Sequence, residues 1–313
     1  MKAFPIKNWI PYELKNQDGV WLCNWLNTFK AFTKPFFDET ILDLKSAHAV
    51  ISFTSSSNLA MMKEWADDII AIQPSAFIFH TSRCGSTLIS QLFSTSNKHI
   101  VLPEVPFFDN LLRLPYQDKN FSEQEILRLL SASVKYYGQV RTGHEQRLYI
   151  KTDSWHMFFY HQLRKLYPTV PFILMYRNPA EIFYSLKKVP GLQSVQGLIE
   201  PAVFGFDLRE AIEPDTYISM ILETYLRQYL SIIEQDDHFL LLNYNEGPMP
   251  MVKKIANFTN TPLSNTDIAI MTERSYYHSK KPADVFSEKI PAYIPGCLNK
   301  AMELYHQLEE KRI

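Results

Sequence analysis

Phe77-Ile78-Phe79-His80-Thr81-Ser82-Arg83-Cys84-Gly85-Ser86-Thr87-Leu88 decides the reading of this chain. The apolar run at 76–80 reads as a buried strand, and 86–96 carries Leu88, Ile89, Leu92 and Phe93 at helical spacing. Between them lies a short polar turn. A helix start offers backbone N–H groups without intrahelical partners and the positive end of the helix dipole, so this turn is a candidate anion site. Arg83 adds a fork of donors, Ser86 and Thr87 add hydroxyls, and Gly85 permits close backbone approach. The alternative is a polar turn that only caps its helix. The nucleotide triphosphatase loop is not met, because no lysine ends the turn. A cysteine phosphatase needs an arginine six residues after Cys84, and that position is Ser90.

Outward from this stretch the same rhythm continues. Strands are predicted at 99–102, 148–152, 172–176 and 239–243, and helices at 122–137, 154–167, 215–235 and 249–258. Ser122 with Glu125 forms a capping pattern, and Asn178-Pro179-Ala180-Glu181 supplies a cap, a first-turn proline and an acidic third position. Strand–helix alternation predicts an α/β three-layer sandwich with a central, mainly parallel sheet. Residues 1–74 do not share it. They are aromatic-rich and read as a mostly helical addition packed on a main domain at 75–313, with 54–58 a loop capping a helix at 59–70.

Composition narrows the function classes. The 313 residues carry Lys+Arg 32 against Asp+Glu 33, a net charge of −1, which argues against a surface built for nucleic acid or anionic membrane. Three scattered cysteines without a C-x-x-C pair predict neither a disulfide framework nor a zinc ribbon. No apolar run approaches the roughly 20 residues that span a bilayer. Residues 1–5 do not read as a secretory signal, so the expected location is cytoplasmic. No metal-binding motif is present, and His156 and His161, five apart, read as packing residues.

Two further signals sharpen the first. Arg177 leaves a strand end and Ser185 follows two helical turns later, so both can reach one phosphate across the helix start. The alternative for Arg177 is a surface pair with Glu181 or Glu200. Tyr149-Ile150-Lys151-Thr152-Asp153 places a lysine and an aspartate at a strand end, where chemistry sits in open α/β sheets.

Together these motifs resemble the sulfotransferases that use 3′-phosphoadenosine 5′-phosphosulfate (PAPS), over about 75–285. Arg83-Cys84-Gly85-Ser86-Thr87 is similar to that family's [K/R]-S-G-[S/T]-[S/T] loop for the 5′-phosphosulfate. Arg177-Asn178-Pro179 with Ser185 matches its 3′-phosphate pair, and Ile150-Lys151-Thr152 its I-K-T strand end. The resemblance implies a P-loop-like fold, PAPS as co-substrate, no metal, and a small-molecule or peptide acceptor bearing a hydroxyl or amine. It implies that Lys151 and Arg83 hold the sulfuryl oxygens and leaving phosphate. Ser279, Lys280 and Lys281 fall where many members close the nucleotide with a basic loop.

Departures matter too. Cys84 replaces the family's serine, and Asp153 stands where cytosolic members have a histidine base. Other branches, including the protein-tyrosine sulfotransferases, take a glutamate from the segment where this chain has Pro103-Glu104-Val105. The resemblance therefore favours Glu104 as base, with Asp153 second. Aromatic residues Phe107, Phe108, Tyr116, Phe204 and Phe206 are candidates for an acceptor wall or for core. The competing readings are a P-loop-type nucleotide kinase and a catalytically silent nucleotide-binding protein.

Overall fold

The computed structural model describes residues 6–49, 55–277 and 293–312. The chain opens with β1 (Trp9–Gln17) and β2 (Val20–Asn27), then α1 (Phe37–Ala49), β3 (Ser55–Asn58) and α2 (Leu59–Ala66). Next come β4 (Pro74–His80), α3 (Ser86–Ser94), β5 (His99–Pro103), α4 (Pro106–Gln117), α5 (Glu123–Tyr137) and β6 (Arg147–Lys151). α6 (Tyr160–Leu166), β7 (Phe172–Tyr176), α7 (Pro179–Lys188), α8 (Pro214–Gln235) and β8 (Phe239–Asn243) follow. α9 (Pro248–Phe258), α10 (Asn265–Ser275) and α11 (Asn299–Lys311) complete the described elements.

A five-stranded parallel sheet in the order β5-β6-β4-β7-β8 forms the centre. Its strands are buried on both faces, and the period of two sorts their side chains into two cores. Phe77 and Phe79 of β4, with Phe172, Leu174 and Tyr176 of β7, join the larger core. Ala76, Ile78, Ile173 and Met175 turn to the smaller one, against Leu92 and Phe93 of α3 and Val252 and Ile255 of α9. Each fully buried Phe or Ile contributes about 1.5–3 kcal/mol, so this alternation fixes the register.

The N-terminal part differs from its sequence reading. It is not mostly helical: β1, β2 and β3 form an antiparallel three-stranded sheet beside α1 and α2. The hairpin turns on Asp18-Gly19, with φ of 51° and 84°, the left-handed pair that a tight hairpin demands. The predicted loop at 54–58 includes β3, whose Ser55–Asn58 backbone pairs with β2. Asn58 does cap α2, accepting from the Met61 N–H at 2.8 Å, but that helix ends at Ala66. Trp25, Phe32 and Phe37 enter the larger core, and the Trp25 ring meets Tyr136 of α5 edge-on at 4.7 Å. The helix expected at 154–167 starts as a 3₁₀ segment, Ser154–Phe159, before α6.

Candidate functional site

The C-terminal ends of all five parallel strands open into one cavity of about 1280 Å³. His80 and the following turn come from β4, Glu104 from just past β5, Asp153 from past β6, Arg177 from past β7 and Tyr244 from past β8. Sheet order reverses about β4, and ligands of open α/β sheets bind at such a point. Of the six non-glycine residues with left-handed backbone among the described residues, three, Ser82 (φ 68°), Arg83 (φ 49°) and Glu104 (φ 53°), line this cavity. Each such residue costs about 1–3 kcal/mol, so surrounding structure must hold it there.

One half of the cavity is the turn entering α3. The Thr81 N–H donates to the Met175 carbonyl at 3.1 Å, anchoring the turn to β7. Gly85 (φ 80°) begins the helix, and a Cβ there would meet the Tyr244 ring at 3.0 Å. Ser86, Thr87 and Leu88 of the first turn border the space, where helical N–H groups have no intrahelical carbonyl. Cys84 also borders it, but its thiol is buried and points to the Met175 carbonyl at 3.5 Å; burial pushes it up to about 11. The Cys84 side chain thus serves as packing, and the loss of a serine hydroxyl there is not replaced by a thiolate.

Arg83 reaches across the mouth and donates to the Val189 carbonyl at 2.7 Å, while Gln193 donates to the Ser82 hydroxyl at 2.9 Å. Arg177 is buried, pairs with Glu181, and donates to the Arg83 carbonyl at 3.0 Å. Its guanidinium lies 4.1 Å from the Tyr244 ring centre. The pairing with Glu181 foreseen as an alternative does occur, yet it lies in the cavity wall rather than on the outer surface. Ser185 and Lys188, both on α7, line the same half. Lys188 was missed by the sequence reading, although its place one turn beyond Ser185 could have suggested it. Ser279, Lys280 and Lys281 lie outside the described residues.

The other half is acidic. Glu104 Oε1 is held by the buried Lys151 ammonium and by His80 Nε2 at 3.1 Å. The backbone supports this: Pro103 pairs with Lys151 in the sheet, and the Glu104 N–H donates to the Lys151 carbonyl at 2.8 Å. Burial alone would raise the Glu104 carboxyl, but Lys151 and His80 overcome it and hold the group well below the usual carboxylate range. Asp153 behaves oppositely. Burial, then the nearby Glu104 and Asp109 charges, push it well above its ordinary value. Burial and then the Lys151 charge lower His80, leaving a neutral ring.

His156 is more than packing. Its Nε2 lies 3.1 Å from Asp109 Oδ1 and 3.6 Å from Asp153 Oδ2. Trp155 and Arg113 also donate to Asp109, at 2.6 and 2.8 Å. Asp109, Asp153 and His156 each bring one ligand atom within 4.8 Å of the others, a grouping that sequence spacing did not disclose. His161 is exposed on α6. Phe107, Phe108 and Phe204 are buried core residues, and Tyr116 and Phe206 pack against that core. The aromatic lining comes instead from Phe36, Trp155, Tyr184, Tyr244 and Tyr277.

A parallel α/β sheet whose central strand feeds a tight turn at a helix start, with cations and carboxylates at neighbouring strand ends, defines an α/β protein with one cavity at the C-terminal edge of its sheet. Residues 73–305 match the family model described as the sulfotransferase domain, and the chain belongs to that family, whose enzymes use PAPS. Its fold is similar to the sulfotransferase domain from the curacin biosynthetic pathway, at 14% identity and TM-score 0.51, covering 77% of this chain and 99% of that one. The sulfotransferase STF9 from Mycobacterium avium aligns at 15% identity and TM-score 0.48 over 80% of each chain. Mouse sulfotransferase SULT7A1, complexed with PAP, aligns at 10% identity and TM-score 0.34 over 92% of this chain and 84% of that one. No curated protein sequence matches the chain significantly. No helix among the described residues is long and apolar enough to cross a membrane.

Proposed function

We propose that this cavity transfers a sulfuryl group from PAPS to a hydroxyl or amine of a small acceptor, with Glu104 as general base. The observation that carries this reading is the continuity of one cavity from the α3 turn to the Glu104–Lys151 pair. Ser86, Thr87 and the first-turn N–H groups hold the 5′-phosphosulfate. Arg177 and Ser185 hold the 3′-phosphate, and Arg83 turns from Val189 to the donor.

The Glu104 carboxylate, masked by Lys151, is a weak base before the donor arrives. Lys151 then shifts toward the sulfuryl oxygens and releases it. Glu104 Oε2, which has no hydrogen bond to the described residues, takes the acceptor proton. The acceptor oxygen or nitrogen bonds to sulfur as the bond from sulfur to the leaving phosphate oxygen breaks, giving 3′,5′-adenosine bisphosphate. Charge spreads over equatorial oxygens, as in phosphoryl transfer, so positioning and electrostatics carry the rate. Acceptor contacts fall to Phe36, Asp38, Asp153 and Trp155, which border the far half.

An acceptor screen with isotopically labelled PAPS tests the reading. A mass gain of one sulfuryl group, absent in Glu104→Gln, is expected. Binding of 3′,5′-adenosine bisphosphate without transfer to any acceptor points to a silent relative, and preference for ATP with magnesium points to the kinase.

A further inference from the structure

We propose that His80 is a positioning residue that couples the donor turn to the base, holding Glu104 through one fixed ring tautomer. The inference rests on Glu104 being the base, as read above, and adds a part that reading does not use. His80 is the last residue of the central strand β4 and is 5% exposed.

Its two nitrogens face different parts of the site. The Ser82 N–H donates to Nδ1 at 3.2 Å. A backbone amide can only donate, so Nδ1 carries the lone pair and the ring proton sits on Nε2. Nε2 in turn faces the Thr152 carbonyl at 2.9 Å and Glu104 Oε1 at 3.1 Å, both acceptors. Every partner therefore agrees with one tautomer. The charged groups facing the ring are Lys151 and Glu104, and burial with Lys151 keeps it neutral.

The consequence is mechanical. Ser82 belongs to the turn that receives the donor, and its left-handed backbone places its N–H on the ring. Were that N–H withdrawn, the proton could move to Nδ1, and the Nε2 lone pair would then oppose the Glu104 carboxylate. A well-formed turn thus selects the tautomer that donates to Glu104. This matters most once Lys151 has shifted to the donor, because His80 is then the remaining side chain that fixes Oε1 and leaves Oε2 aimed at the acceptor. Partners that orient the ligands of a metal site contribute about tenfold to a hundredfold, and a comparable loss is expected here.

The test uses the full chain with two variants. His80→Asn keeps an acceptor near Nδ1 but cannot reach Glu104, whereas His80→Gln places an N–H donor near Nε2. Histidine ¹⁵N NMR of the wild type, with and without 3′,5′-adenosine bisphosphate, should show the His80 Nε2–H tautomer. A carboxyl ¹³C titration should show the Glu104 midpoint raised in His80→Asn and restored toward wild type in His80→Gln. With an acceptor from the screen, kcat should fall about tenfold to a hundredfold in His80→Asn, the donor KM staying within about twofold, and His80→Gln should recover most of it. An Nδ1–H tautomer, an unmoved Glu104 midpoint, or equal losses in both variants that track thermal stability would overturn the proposal. If the wild type transfers no sulfuryl group while the tautomer and midpoint behave as stated, the failure lies with the proposed reaction and not with His80.

Discussion

Glu104 and Lys151 meet because β5 and β6 end in register: Pro103 pairs with Lys151, and the next residue turns its carboxylate onto that lysine's ammonium. One cation therefore neutralises the carboxylate proposed as base, and its charge is felt at Cys84 in the turn entering α3.

Removing the carboxylate's charge isolates its role. Glu104→Gln should lower kcat by about a hundredfold to ten-thousandfold, the usual contribution of a general base. Affinity for 3′,5′-adenosine bisphosphate should stay within about twofold by calorimetry. Asp153→Asn should lower kcat less than tenfold; a larger loss there, with Glu104→Gln active, would exchange the two assignments.

The pair also has a stability signature. Lys151→Met leaves a largely buried carboxylate without its cation, which typically costs about 3–5 kcal/mol. Adding Glu104→Gln to that variant should recover much of the loss, a coupling expected of groups in direct contact. Urea denaturation of the four proteins measures this, and simple additivity would contradict it.

Asp153 sets a pH dependence of opposite sign. Its folded-state pKa is raised, so its neutral form predominates at low pH in both states. As pH rises above about 4, the unfolded chain ionises first and stability falls until the raised value is passed. Asp153→Asn should therefore raise the melting temperature at pH 7 and change it little at pH 3.5. An equal shift at both pH values would contradict the reading.

Gly85→Ala tests the donor turn. The residue holds φ 80° and its new methyl would crowd the Tyr244 ring, with a strain of about 1–3 kcal/mol. Binding of 3′,5′-adenosine bisphosphate should weaken at least about tenfold while the secondary structure by circular dichroism is retained.

Much of the α/β part is legible in the sequence. β7 and β8 are continuous apolar runs bounded by turn residues, and Ser122 and Asn178 announce their helices, accepting from the Glu125 and Ala180 N–H groups, without the reciprocal Glu125 contact of a full capping box. Aromatic content does not disclose the N-terminal sheet; the local sign of its hairpin is the Asp18-Gly19 pair. Arg83, Arg177 and the Lys151 and Asp153 charges are legible at or just past strand ends, and Glu104 through the family resemblance. Their mutual geometry is not, since it depends on sheet register. His80 was visible as a titratable residue closing a central strand, but its partners arrive from residues 82, 104 and 152. The link from His156 to Asp109 spans 47 positions of sequence, beyond any local pattern.

Calorimetric titration of 3′,5′-adenosine bisphosphate into the wild type, Glu104→Gln and Arg177→Ala is the most direct check on the donor cavity. The account predicts one site per chain, binding retained in Glu104→Gln, and a loss of about tenfold or more in Arg177→Ala, as expected for a lost charged hydrogen bond. Absence of binding to the wild type, or wild-type affinity in Arg177→Ala, would contradict it.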